Sequence, residues 1–145
     1  MVAPSRAVRA VATIGAVVQG MVIVFQAVLA AGSPWAVAAW GGQYTVLPIR
    51  LRIASAAAVV VLSLGCWVLL ARANVMNPGA QSRTIRIACW AFAAYLALNT
   101  LANALSPSRI ERNVMTPVSA ILGVCFIVVA GSPYKKKGAT RVVAP

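Results

Sequence analysis

The sequence contains few charged side chains, and almost none of the acidic and imidazole groups that enzymes use for acid–base chemistry. Its 145 residues include no histidine and a single acidic residue, Glu111, and only 10% of them are charged. Soluble domains carry about 25% charged residues, so this composition argues against a water-soluble globule. With one carboxylate and no imidazole, few conventional acid–base or nucleophilic groups remain, and we do not expect an enzyme.

The same absences argue against two kinds of small membrane protein. Haem-carrying anchor subunits need axial ligands, usually histidine, and proton-coupled small multidrug exporters need a carboxylate inside a span, which this chain lacks. Cys66, Cys89 and Cys125 lie in separate apolar runs without a CxxC pair, which favours buried reduced thiols over a disulfide or redox relay. We therefore expect no cofactor and no metal.

Long apolar runs dominate what is present. Hydrophobic residues make up 61% of the chain, and a helical span needs about 20 apolar residues. Four runs meet this length, at about 10–31, 53–71, 87–105 and 114–130. The sequence therefore predicts an all-α integral membrane four-helix bundle, with one transmembrane domain over 1–145.

The first run resembles a signal peptide because Arg6 and Arg9 precede it and small residues follow it. Its apolar stretch of about 22 residues exceeds the usual signal core of about 7 to 15. We therefore expect an uncleaved first helix.

The connections between the runs differ in character. The segment 32–52 is broken by glycine and proline and contains Trp35 and Trp40, whose rings suit the headgroup layer, so we expect it to lie along the membrane interface. Asn77-Pro78-Gly79 indicates a turn within 73–86. The tail, 131–145, carries three lysines at 135–137; we expect it to be disordered and to touch anionic lipid.

The net charge of +12 would suggest a nucleic-acid partner in a soluble protein. Here the basic residues lie between the apolar runs, as orienting charges do, so we expect no nucleic acid. Nine fall on the side of the termini and the middle turn, and four on the other. The positive-inside rule then predicts cytoplasmic termini in a bacterial plasma membrane.

Polar side chains within the spans fall on two helix faces. Asn99, Asn103 and Ser106 are spaced i, i+4 and i+7, and Gln19 and Gln26 lie seven apart. Interhelical hydrogen bonding is the favoured interpretation, either within the bundle or across a dimer interface. A polar substrate pocket is the alternative.

The segment before the fourth run contains a helix-start signal. Ser108 and Glu111 match the S-x-x-E capping box, in which the serine hydroxyl and the glutamate carboxylate satisfy free amides. The fourth helix should therefore begin before Val114. Pro117 then falls in its first turns, where a missing amide costs least or produces a modest kink.

Four arginines share the predicted outward side with Glu111. A salt bridge from Glu111 to Arg50 or Arg52 would tie the two outward connections together. Alternatively, the excess of positive charge holds an anionic lipid headgroup or an anionic substrate. The four are Arg50, Arg52, Arg109 and Arg112.

Several of these residues form motifs. In the first half they are Pro34-Trp35, Trp40-Gly41-Gly42, Leu47-Pro48, Leu51-Arg52-Ile53 and Ser55; in the second they are Asn99, Asn103, Ser106, Ser108, Glu111-Arg112 and Met115-Thr116-Pro117. Together they resemble a family of small uncharacterised bacterial four-span membrane proteins. The resemblance implies no activity, cofactor or partner, but it draws attention to the outward connections and the adjoining helix ends.

Two functions follow as expectations. The favoured one is a non-enzymatic accessory or scaffold protein, whose outward aromatic segment and asparagine face contact lipid, a membrane protein or a second copy. The alternative is a small transporter or permease-like unit for an uncharged or anionic solute. Pairing of Gln19, Gln26, Asn99 and Asn103 in a dry interface would favour the first, whereas their convergence on a cavity would favour the second.

Overall fold

Four long helices make up the protein. The computed structural model describes residues 4–76 and 82–133, and this part of the chain contains no strand. The helices are α1 (Arg6–Ala30), α2 (Ile49–Arg72), α3 (Arg83–Ala104) and α4 (Thr116–Gly131). All four, with α4 counted from Glu111, are long and apolar enough to cross a membrane. The predicted all-α architecture is confirmed.

The helices extend beyond most of the apolar runs, and local capping explains their ends. Ser5 and Ser82 are N-caps whose hydroxyls accept from the amides of Val8 and Ile85, each at 3.2 Å. Residues 77–81, with the predicted Asn-Pro-Gly turn, and 134–145, most of the predicted basic tail, lie outside the described residues.

Helix α1 ends in a Schellman motif. Gly32 has φ +91° and donates its amide to Leu29 O at 3.0 Å, and the amide of Ser33 donates to Val28 O at 3.3 Å. A Cβ on Gly32 would lie 3.0 Å from Arg52 Cζ. Arg52 uses this space to donate Nε to Ala30 O at 2.9 Å, which satisfies another terminal carbonyl.

Helix α2 ends in the same way, with Asn74 at φ +55° in the place of glycine. Arg72, which directly follows the predicted span 53–71, is only 1% exposed. Its Nη2 donates to Ser132 O at 2.8 Å, at the end of α4. A guanidinium here complements the negative end of the α4 dipole.

The helices run alternately up and down. Arg52 reaching Ala30 puts the connection 31–48 (the first link) at one end of the bundle, and Gly41 donating to Glu111 places the connection 105–110 (the second link) there too. We call this the link end; Arg72 and Ser132 lie at the opposite, terminal end. Helix α1 packs chiefly on α2, α3 chiefly on α4, and the two pairs meet mainly through α1 and α4.

The buried apolar side chains form two clusters. The larger fills the terminal half and includes Leu69, Cys89 and Phe126, whereas the smaller, with Leu29 and Leu47, lies beneath the first link. Large apolar side chains such as Met21 and Leu98 instead cover the outside of the bundle. An apolar exterior is what contact with lipid requires.

Candidate ligand-binding cavity

The only carboxylate side chain of the protein joins the two links. Glu111 is 9% exposed, and its Oε2 accepts from the amide of Gly41 at 3.1 Å and from the hydroxyl of Ser106. The amide of Gly41 reaches it because Trp40, Gly41 and Gly42 take φ values of +52°, +82° and +69° in succession. Two glycines make this reversal accessible.

The predicted capping box is half right. Ser108 Oγ accepts from the amide of Glu111 at 3.4 Å, as predicted. The carboxylate does not return to the amide of Ser108, which donates to Ser106 Oγ at 3.1 Å instead. Because Ser106 Oγ accepts from the amide of Ser108, the carboxylate of Glu111 can accept from Gly41 in the first link instead.

The predicted salt bridge from Glu111 to Arg50 or Arg52 is wrong. Among the described residues Glu111 forms no ion pair, because Arg52 is engaged by Ala30 O and Arg50 is exposed. Arg112 donates Nη1 to Ser106 O at 2.7 Å and to Pro107 O at 3.2 Å. The two links are connected as expected, but by a backbone amide.

The fourth helix begins early, as predicted. Helical backbone starts at Arg109, and Glu111–Met115 forms a π-helical turn before α4. The amide and hydroxyl of Thr116 both donate to Glu111 O. Pro117 follows at the start of α4, where its missing amide is absorbed by the wider turn.

The tryptophans of the first link differ. Trp40 donates Nε1 to Ser55 Oγ at 3.0 Å and so anchors the link on α2. Trp35 is 59% exposed and makes no hydrogen bond through its ring within the described chain. Of these two tryptophans, only Trp40 takes part in the hydrogen bonds that hold the first link on the bundle.

A cavity of about 520 Å³ lies in the link half of the bundle. All four helices contribute to its wall, and its roof is formed by Trp40 of the first link, Ser106 of the second link and the adjoining Glu111. Its far end is apolar, formed by Leu62, Leu96 and Leu122, among others. The volume lies within the range of about 300 to 1,000 Å³ that is usual for small-molecule sites.

Three of the four span amides converge on this cavity. Gln26, Asn99 and Asn103 line it, and none of their side chains hydrogen-bonds to another described residue. Gln19 behaves as the interhelical interpretation requires: it is fully buried and donates Nε2 to Leu62 O at 2.7 Å. Interhelical bonding within the bundle is therefore confirmed for Gln19, and the side chains of the other three do not make it; bonding across a dimer interface stays a prediction.

Residues of both α2 and α3 line the cavity. In the terminal half the two helices touch, since a Cβ on Gly65 would lie 2.8 Å from Phe92 Cε1. Towards the link end, the same helix faces continue with Ala58 on α2 and with Tyr95 and Ala102 on α3, which line the cavity. Tyr95 is 40% exposed, so the wall reaches the bundle surface.

Sequence reasoning missed the pair that holds α3 against α4 here. Thr100 Oγ1 is 3.0 Å from Ser119 Oγ and donates to Leu96 O at 2.7 Å. Ser55 was noticed only within a motif. Single hydroxyls in apolar runs carry no periodic signal, and their partners lie on other helices.

The site and fold define a four-helix protein of membrane-spanning length with an internal, partly polar cavity. Comparisons with family models, curated proteins and solved structures found no match. The family resemblance of the sequence motifs therefore stays a prediction.

Proposed function

We propose that this chain is a non-enzymatic, permease-like membrane protein that binds a small, largely apolar molecule in the cavity of its link half. The observation that carries the proposal is the convergence of Gln26, Asn99 and Asn103, without partners among the described residues, on a space of about 520 Å³. Polar groups without partners, here the buried Oε1 of Gln26 and the half-buried amides of Asn99 and Asn103, are costly in a dry interface. A bound molecule with a polar head would satisfy them.

Filling the cavity tests this proposal. Ala58 lines the cavity, whereas its neighbour Ala57 is exposed and does not. We expect naphthalen-1-ylmethanol to bind saturably to the full chain in phosphatidylcholine nanodiscs. Ala58→Phe should weaken binding by about tenfold or more, because the ring occupies the same space; Ala57→Phe should leave it unchanged.

Calorimetry against empty nanodiscs separates binding from partition, and circular dichroism checks that both variants keep their helix content. Absence of saturable binding to the wild type, or equal affinities for the two variants, would contradict the proposal.

An accessory or scaffold role is the second candidate, favoured by the link-end surface. Trp35, Arg50 and Arg109 are exposed there, where they suit a membrane-protein partner or anionic lipid headgroups. A stoichiometric partner after gentle solubilisation would support this role. The cavity is the better-developed feature, since the side chains of these exposed residues form no hydrogen bonds with the described chain.

We place the protein in a bacterial inner membrane with its termini in the cytoplasm. The support is the distribution of basic residues, nine against four. In this orientation the cavity lies in the outer half of the membrane, beneath the two links.

A further inference from the structure

Glu111 lines the cavity and has one carboxylate oxygen without a hydrogen-bond partner in the described chain. Both of its hydrogen bonds end on Oε2, whereas Oε1 has no partner among the described residues. The side chain is nine-tenths buried, lines the cavity and forms no ion pair within the described chain. A buried carboxylate without a cation is costly, so this wall favours a positively charged or hydrogen-bond-donating group.

Other groups on the wall favour the same chemistry. The side-chain oxygen of Gln26 is buried without a donor, and the side-chain amides of Asn99 and Asn103, each able to accept through its oxygen, also line the cavity. Phe25, Trp40 and Tyr95 also line the cavity, and aromatic faces attract cations. Acceptors and rings together match an ammonium group.

The arginines of the link end do not oppose a cation inside the cavity. None of them lines it. Arg52 and Arg112 donate to carbonyl oxygens, whereas Arg50 and Arg109 are exposed. The negative group is therefore on the wall of the cavity and the positive groups are outside it.

We infer that the ligand is a cationic amphiphile, a protonated amine on an apolar body. This inference rests on the proposed function and identifies the substrate class of the same site. The ammonium group lies near Glu111 and the asparagines, and the apolar body lies towards Leu62, Leu96 and Leu122. The wall at Tyr95, which reaches the bundle surface, provides an entrance from the bilayer, where such amphiphiles concentrate. An anionic or uncharged solute, expected from the sequence, fits this wall less well.

Three probes of matched shape test the charge of the ligand: naphthalen-1-ylmethylamine, naphthalen-1-ylmethanol and naphthalene-1-carboxylate. We expect the wild-type chain, in phosphatidylcholine nanodiscs at pH 7, to bind the amine about tenfold to a hundredfold more tightly than the alcohol. The carboxylate should bind more weakly than either. Calorimetry measures all three affinities.

Glu111→Gln removes the charge and keeps an oxygen that can accept from the amide of Gly41. The preference for the amine over the alcohol, taken as the ratio of the two affinities in this variant, should fall to within about threefold. Arg109→Gln is the matched control, because it changes one exposed charge at the same end and leaves the preference intact.

The outcomes separate the two proposals. Saturable binding of the alcohol that equals or exceeds that of the amine, or a preference that survives Glu111→Gln, overturns the inference and leaves the cavity as a binding site. Tightest binding of the carboxylate also overturns it. Failure of all three probes to bind saturably overturns the proposed function itself. If Glu111→Gln does not fold, Asn103→Asp provides the second arm: added negative charge should strengthen binding of the amine alone, and an unchanged preference overturns the inference.

Discussion

At the scale of single residues, two glycines control how closely the helices approach. A Cβ on Gly15 would lie 3.0 Å from Leu69 Cδ2, and one on Gly65 would lie 2.8 Å from Gln19 Nε2. Because Gly65 has no Cβ, Gln19 can reach Leu62 O across the α1–α2 interface. Small residues at such interfaces let backbones approach and bring polar side chains within bonding distance.

Replacing Gly65 by alanine should therefore displace Gln19 and Phe92. We expect Gly65→Ala to lower the free energy of unfolding by about 1 to 3 kcal/mol, through overpacking and loss of the Gln19 hydrogen bond. Gly20→Ala is the control, since its Cβ would meet nothing within 4 Å; it should be neutral or stabilising by up to about 1 kcal/mol. Denaturant unfolding in micelles, followed by circular dichroism, measures both. Equal effects of the two changes would rule out this account of Gly65.

At the scale of elements, the first link is held by a few polar contacts. It contains only short 3₁₀ turns, Ala36–Ala38 and Trp40–Gly42, which confirms that it is not a span. Trp40 fixes it to α2 through Ser55, and Gly41 fixes it to the second link through Glu111. Both contacts also help to form the cavity roof.

Trp40→Phe should loosen this roof while preserving most of the ring. Ser55 is fully buried, and the change leaves its hydroxyl without the indole donor; we expect a loss of about 1 to 2 kcal/mol in unfolding free energy. Trp35→Phe, at a ring 59% exposed, should change it by less than about 0.5 kcal/mol. The same micelle unfolding assay compares them. A destabilisation by Trp35→Phe as large as that by Trp40→Phe would show that the indole bond does not hold the link.

The sequence predicts the elements better than their contacts. The length of the apolar runs identifies the four spans. It does not identify the charged first turn of α3, which contains Arg83 and Arg86, because a hydropathy criterion ends each span where charged residues begin. Spacing places Asn99 and Asn103 on one face. Whether that face is paired or open depends on how α3 packs against the other helices, which no local pattern encodes. Glu111 likewise departs from its capping box because Gly41, 70 residues away, provides a competing donor.

At the scale of the whole molecule, the two ends of the bundle are built differently. The terminal half is filled by a continuous apolar core, and Arg72 closes it against the end of α4. The link half contains the cavity, the roof and Glu111. A molecule with a polar head and an apolar body fits this division, since the polar groups gather near one end and the leucines lie deeper.

The orientation of this asymmetric bundle is open to direct measurement. Gln43 in the first link and Thr84 at the start of α3 are exposed and lie at opposite ends. With Cys66, Cys89 and Cys125 replaced by alanine, Gln43→Cys and Thr84→Cys each provide one reactive thiol. Because more basic residues lie at the terminal end, a membrane-impermeant maleimide should label position 43 in intact bacterial cells and position 84 only after permeabilisation. The reverse pattern would place the cavity in the cytoplasmic half, and equal labelling of both positions in intact cells would show mixed insertion.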